Sequence, residues 1–311
     1  MRTYPLSAAV RRPAFTLMEL LVVIALIVVI AAIGLLTVPL MQSQQKASSN
    51  ASQVVAWLGN VKAIALRDQR PTGLRFVPDP NNPNFIREVF MIQTPDDFAG
   101  GFVLVPNAKS LNVVTVIGAD FDGGFGAADV LDHPVQVGDY LELNGGGLLY
   151  TITGVSQVPN PIPPVPPQGV LTLSRNVVLT SPTPQYRIIR QPRRMQGEDS
   201  FTLTGNVVID LGHPYDNPPS FLTLNLPVRT AATESYYEIV FAPSGGVVGK
   251  GTVASDKIIL WVRDSTAPNV TDHDPALVTI QVRTGFLGTY QVDTTSTDPY
   301  RYARDPRAGG M

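Results

Sequence analysis

Residues Phe15 to Val38 form a 24-residue apolar run whose single charge, Glu19, lies near its start. As a helix this run extends about 36 Å at 1.5 Å per residue, against a hydrocarbon core of ~30 Å, so it is long enough to enter a bilayer. The preceding residues 1–14 carry Arg2, Arg11 and Arg12 and no acid. By the positive-inside bias they place the N-terminus in the cytoplasm and the rest of the chain outside. A secretory signal peptide and a plain membrane anchor each account for the apolar run. Neither accounts for Glu19, since a carboxylate interrupts a signal core and costs a few kcal/mol in lipid.

Beyond this run the chain changes character. Charged residues make up 15% of the 311, while 26 Gly and 28 Pro punctuate short runs of Val, Leu, Ile and Thr, the pattern of a sheet-rich body with many turns. With no Cys, disulfides and thiolate chemistry are excluded. Val54, Leu58, Val61 and Ala65 recur at helical spacing, so a helix is expected past the apolar run, ending at Arg70-Pro71-Thr72-Gly73. Strands are expected at Leu74–Val77, Phe85–Ile92, Asn206–Leu211, Phe221–Leu226, Tyr236–Phe241, Lys257–Val262 and Leu277–Val282.

Ala14-Phe15-Thr16-Leu17-Met18-Glu19, set between a short basic leader and an unbroken apolar stretch, resembles the processing motif of type IV prepilins and pseudopilins. The resemblance implies cleavage between Ala14 and Phe15 by a prepilin peptidase, methylation of the new terminus at Phe15, and an assembly role for Glu19. Ala14 stands where the family usually has Gly. The stretch "VKAIALRDQRPTGLRF" with the later "YYEIVFAPSGGVVG", "KIILWVRD" and "LVTIQVRTGFLGTY" is similar to the GspH/FimT family of minor pseudopilins. The implied fold class is α+β, a long N-terminal helix, transmembrane and then amphipathic, packed on antiparallel β-sheets. The implied divisions are a cytoplasmic leader at 1–14, a transmembrane and assembly helix at 15–38, and a pilin-like domain at 39–93 and 198–292.

Residues 94–197 fall outside both resemblances and read as an inserted β-rich subdomain, with five candidate strands and a turn at Asn144-Gly145-Gly146-Gly147. Residues 293–311 read as a flexible tail. Within the insertion Asp120, Asp122, Asp129 and Asp132 surround a glycine-rich stretch, either a calcium loop or an acidic turn, and they do not match the EF-hand pattern. Two groups of arginines are nucleic-acid candidates: Arg187, Arg190, Arg193 and Arg194, and the tail's Arg301, Arg304 and Arg307. Against nucleic acid, removal of the leader leaves 20 basic against 25 acidic residues.

No nucleophile elbow, phosphate-binding glycine loop or zinc-ligand spacing occurs, so no enzyme and no cofactor other than the calcium candidate is expected. The resemblance implies a minor pilin or pseudopilin, a structural subunit of a type II secretion pseudopilus or a type IV pilus. Its implied partners are other pilins, the prepilin peptidase and an inner-membrane assembly platform. Its implied location is a single pass in the inner membrane with the body outside, then the filament. The alternative is a binding module on the same filament, an adhesin or DNA receptor that uses the insertion or the arginine-bearing tail.

Overall fold

The computed structural model describes residues 17–104, 111–121, 133–158, 166–177, 185–212, 223–230, 235–248 and 256–305. A helix α1 (Leu17–Asp68) leads into β1 (Thr72–Asp79) and β2 (Asn82–Gln93), an antiparallel hairpin in register from Thr72 opposite Gln93 to Phe76 opposite Val89. The chain then forms a second sheet from β3 (Phe102–Leu104), β4 (Val113–Ile117), β5 (Tyr140–Leu143), β6 (Leu149–Val158), β7 (Gln168–Leu173) and β8 (Tyr186–Ile189). Their order is β3-β4-β7-β6-β5-β8. Strand β7 alternates buried and half-buried residues throughout, the period-2 signature of a strand with one covered face.

On its return the chain rejoins the first sheet beside the point of departure, with Arg193 opposite Gln93. Three short strands, β9 (Arg193–Arg194), β10 (Phe201–Thr202) and β11 (Val207–Asp210), pair in turn along the outer edge of the long β2. The remaining strands are β12 (Val228–Thr230), β13 (Ser235–Phe241), β14 (Val247–Val248), β15 (Lys257–Asp264), β16 (Ala276–Gln281) and β17 (Leu287–Gln291). They complete the order β12-β13-β1-β2-β11-β15-β16-β17, with β14 on β13. Of the expected strand at 221–226, Leu224 forms only an isolated bridge to Ile259, and residues 221 and 222 lie outside the described residues.

Each sheet has its own core. In the first, Ala51, Val54, Leu58, Val61 and Ala65 of α1 cluster with Leu74, Phe76, Val89, Met91, Ile239, Phe241 and Leu260. Full burial of each large side chain contributes roughly 1.5–3 kcal/mol. Lys62 ties α1 to the turn after β16 by donating to the Thr284 and Gly285 carbonyls at 3.0 and 2.9 Å. The second core gathers Val114, Val116, Phe121, Leu141, Ile152, Leu171 and Ile188.

Strand β15 is buried on both faces, which explains why KIILWVRD reads as a continuous apolar run. Its second face meets a small cluster of Ile259, Trp261, Leu277, Tyr300 and Ala303. Residues 293–305, taken from composition as the start of a flexible tail, thus pack on the sheet. Tyr300 sits edge-on to Trp261 at 5.6 Å, and Lys257 donates to the Ala303 and Arg304 carbonyls that end α2 (Arg301–Arg304). Cations at a helix C-terminus offset its free carbonyls.

Two expectations are corrected. The fold is mostly antiparallel β, not the α+β architecture organised around a long transmembrane helix packed on sheets: strands in two sheets form the body. Among the described residues no helix is long and apolar enough to cross a membrane, so the expected single-pass anchor in the inner membrane does not stand.

Candidate functional site

The structure separates two features with different chemistry. The first is the start of α1. Leu17 and Met18 are 80% and 75% exposed, and Leu20 through Ile30 present large apolar side chains on every side of the helix. Glu19 is exposed in the first turn, where the helix dipole favours a carboxylate. Ala14 and Phe15, the expected cleavage and methylation positions, lie outside the described residues.

The second feature is a cleft of about 690 Å³ where the outer face of the first sheet meets the second sheet. Alternation along β1 and β13 makes its floor. Leu74, Phe76, Ile239 and Phe241 turn toward the helix-side core, so Arg75, Tyr236 and Glu238 occupy the opposite face. Arg75 lies opposite Glu238 in register and donates to Glu238 Oε1 from Nε at 2.9 Å and Nη2 at 2.7 Å. Its Nη2 also donates to the Pro192 carbonyl at 3.0 Å, and the guanidinium stands 4.1 Å over the Tyr236 ring.

The wall comes from the second sheet. Asp139, 1% exposed, precedes β5 and accepts from Arg193 Nη2 at 2.7 Å and from the backbone N–H groups of Gln136 and Gln191 at 2.9 and 2.8 Å. Arg193 Nη1 donates to the His133 carbonyl. Burial pushes the Asp139 carboxyl above its ordinary value, opposed by the Arg193 guanidinium and the two N–H donors. Burial likewise pulls Arg193 down, with Asp139 opposing. This ion pair joins the two sheets where the chain passes between them. Arg194, the next residue, is exposed and stacks 4.2 Å over the Phe90 ring at the rim, near the exposed Glu198 and Asp199.

Most of the arginines proposed from sequence as phosphate contacts are committed to acids or carbonyls. Arg187 pairs with Glu142 and Asp97, Arg190 donates to the Asp96 carbonyl, and Arg193 pairs with Asp139. In the tail, Arg301 lies 3.9 Å from Asp293 and Arg304 3.0 Å from Asp298, while Arg307 lies outside the described residues. Of the calcium candidates, Asp120 is exposed just after β4, and Asp122, Asp129 and Asp132 lie outside the described residues. No cluster of metal-ligating side chains occurs among the described residues.

No protein-family model, curated protein or solved structure matches this chain. The cleft therefore stands on its own geometry. Sequence reading missed Arg75, Tyr236 and Glu238 as site residues, because Arg75 and Glu238 are 163 positions apart and meet only through the β1–β13 register. A signal was present: the polar alternate positions of "TGLRF" and "SYYEIVF" sit within otherwise apolar strands.

Proposed function

We propose that this chain is a minor pilin-like or pseudopilin-like structural subunit, built into a filament through the N-terminal part of α1 after removal of residues 1–14. The observation that carries the reading is the exposure of Leu17 through Ile30 on all sides of a helix. A monomer rarely leaves so large a contiguous apolar surface bare, and a surface apolar all round a helix calls for several neighbours at once. The helices of further subunits of the same kind supply such neighbours. Other pilins, the processing peptidase and an assembly platform are the partners this reading implies.

Glu19 then has a role that a purely apolar contact would not need. Once α1 is surrounded, its carboxylate is taken from water, and an uncompensated buried charge costs several kcal/mol. The amine freed at Phe15 of a neighbouring subunit offsets that cost and fixes the register between helices. The experiment compares the full chain with Glu19→Leu and Ala14→Phe in a strain that assembles the filament. Leader removal is followed by blot, and subunits are counted in sheared fibres. Glu19→Leu is expected to lose its leader but not enter fibres, and Ala14→Phe to keep its leader and stay out. Normal incorporation of Glu19→Leu would sink the mechanism.

A second reading, a binding module displayed on such a filament, is favoured by the cleft at the sheet junction.

A further inference from the structure

We infer that the cleft between the two sheets is a binding site for a short neutral oligosaccharide. The inference is independent of the filament reading and rests on the shape, charge and lining of the cleft. Its volume, about 690 Å³, lies within the range of roughly 300–1,000 Å³ for small-molecule sites.

Charge and geometry select against two other ligand classes. The lining holds Arg75, Arg193 and Arg194 against Asp139, Glu198, Asp199 and Glu238. Arg75 is satisfied by Glu238 and Arg193 by Asp139, which leaves one guanidinium, Arg194, against two exposed carboxylates. A polyanion such as nucleic acid needs a net basic surface, and this one has none. Peptides that bind by strand addition need an open sheet edge. The floor here is instead the face of a sheet, at Arg75 of β1 and Tyr236 and Glu238 of β13, strands hydrogen-bonded to each other.

What remains matches a sugar. A pyranose presents an apolar C–H face and a ring of hydroxyls that both donate and accept. Tyr140 and Tyr236, both half-buried, line the cleft, and Tyr236, with the Arg75 guanidinium over one face of its ring, offers its remaining apolar area with little conformational entropy to lose. Arg194, Glu198 and Asp199 at the rim supply donors and acceptors to vicinal hydroxyls. The two carboxylates inside, Asp139 and Glu238, are each held by an arginine, so the site is arranged to bind rather than to cleave.

The test uses the full chain in polyoxyethylene micelles, which carry no sugar head group, against an array of neutral glycans followed by calorimetry with maltohexaose, cellohexaose and chitohexaose. A heparin hexasaccharide and single-stranded DNA serve as anionic probes. Saturable binding of a neutral glycan is expected, nearly unchanged between about 50 mM and about 500 mM salt, because the ligand carries no charge. Arg194→Ala and Asp199→Ala, both exposed and expected to fold normally, should each weaken it, and Tyr236→Ala should weaken it about tenfold or more, equal to about 1.4 kcal/mol. If Tyr236→Ala fails to fold, the two rim variants decide. No saturable neutral glycan across the array, binding of the anionic probes alone, or binding unaffected by both rim variants would each overturn the proposal.

Discussion

Replacing Arg193 with Met should destabilise the sheet junction by an amount that depends on pH, and the size follows from what Asp139 keeps. In the intact chain Asp139 accepts from the Arg193 guanidinium and two backbone N–H groups while only 1% exposed. Met fills most of the space of the arginine stem but removes the cation. Breaking a buried pair typically costs about 3–5 kcal/mol, yet the carboxylate can escape part of that by taking up a proton. From an unfolded value near 3.9, neutralising one Asp at pH 7 costs about 4 kcal/mol at 1.36 kcal/mol per unit, and at pH 5 only about 1.5. The proton route thus sets a ceiling that falls on acidification. The sign is that of a carboxyl raised in the folded state: the folded chain binds more protons, and stability declines as pH rises through the window above 3.9. Arg193→Met is expected to cost about 3–4 kcal/mol at pH 7 and about 1–2 at pH 5. Hydrogen exchange followed by mass spectrometry on peptides covering β5 and β8 measures this locally. An equal loss at the two pH values, or less than about 1 kcal/mol at pH 7, would refute the account.

Two other perturbations address the body of the protein. Leu58→Ala, at a fully buried position of the first core, should cost about 3–4 kcal/mol in urea unfolding of the full chain, since a cavity beneath the sheet cannot collapse readily. Asp293 accepts from the Thr295 hydroxyl and N–H at 2.8 and 2.9 Å and from the Ser296 N–H at 3.1 Å. The Thr295 hydroxyl bond, first among these, holds its carboxyl below the ordinary value. Its contribution is present above about pH 3.9 and lost as pH falls toward the lower folded value, so amide protection in residues 293–305 should drop in that window and persist in Asp293→Asn less well at neutral pH.

Strands β1, β2, β13, β15 and β16 were legible in the sequence because each buries a face continuous over several residues, and the apolar pattern records that burial. Strands β9, β10 and β14 were not, since a two-residue strand has no period to detect. They exist because β2 and β13 offer edges that a passing segment satisfies. The tail misled for a related reason. "TTSTDPYRYARD" is polar by composition, but Asp293 organises its first turn and Tyr300, its hydroxyl pushed up to about 12 by burial, anchors it on Trp261. Arginine clusters were visible but their partners were not. Asp97, Asp139 and Glu142 neutralise Arg187 and Arg193 across 45 or more positions of sequence, a relation no local pattern encodes.

The distal part of α1 and the cleft lie on opposite faces of one sheet, and the alternation of β1 and β13 is what separates them. Leu74, Phe76, Ile239 and Phe241 join the core with α1, and the intervening Arg75, Tyr236 and Glu238 face the cleft. A subunit held in a filament by the apolar start of α1 would thus keep its cleft on the face away from that helix. The two proposals can therefore hold together without competing for surface. They also fail separately: Glu19→Leu should leave glycan binding by the full chain untouched, because Glu19 lies in the first turn of α1 and takes no part in the cleft. Arg194→Ala should in turn enter fibres normally while binding less. A substitution that abolished both would mean that the sheet itself had been disturbed, as Leu58→Ala is expected to do.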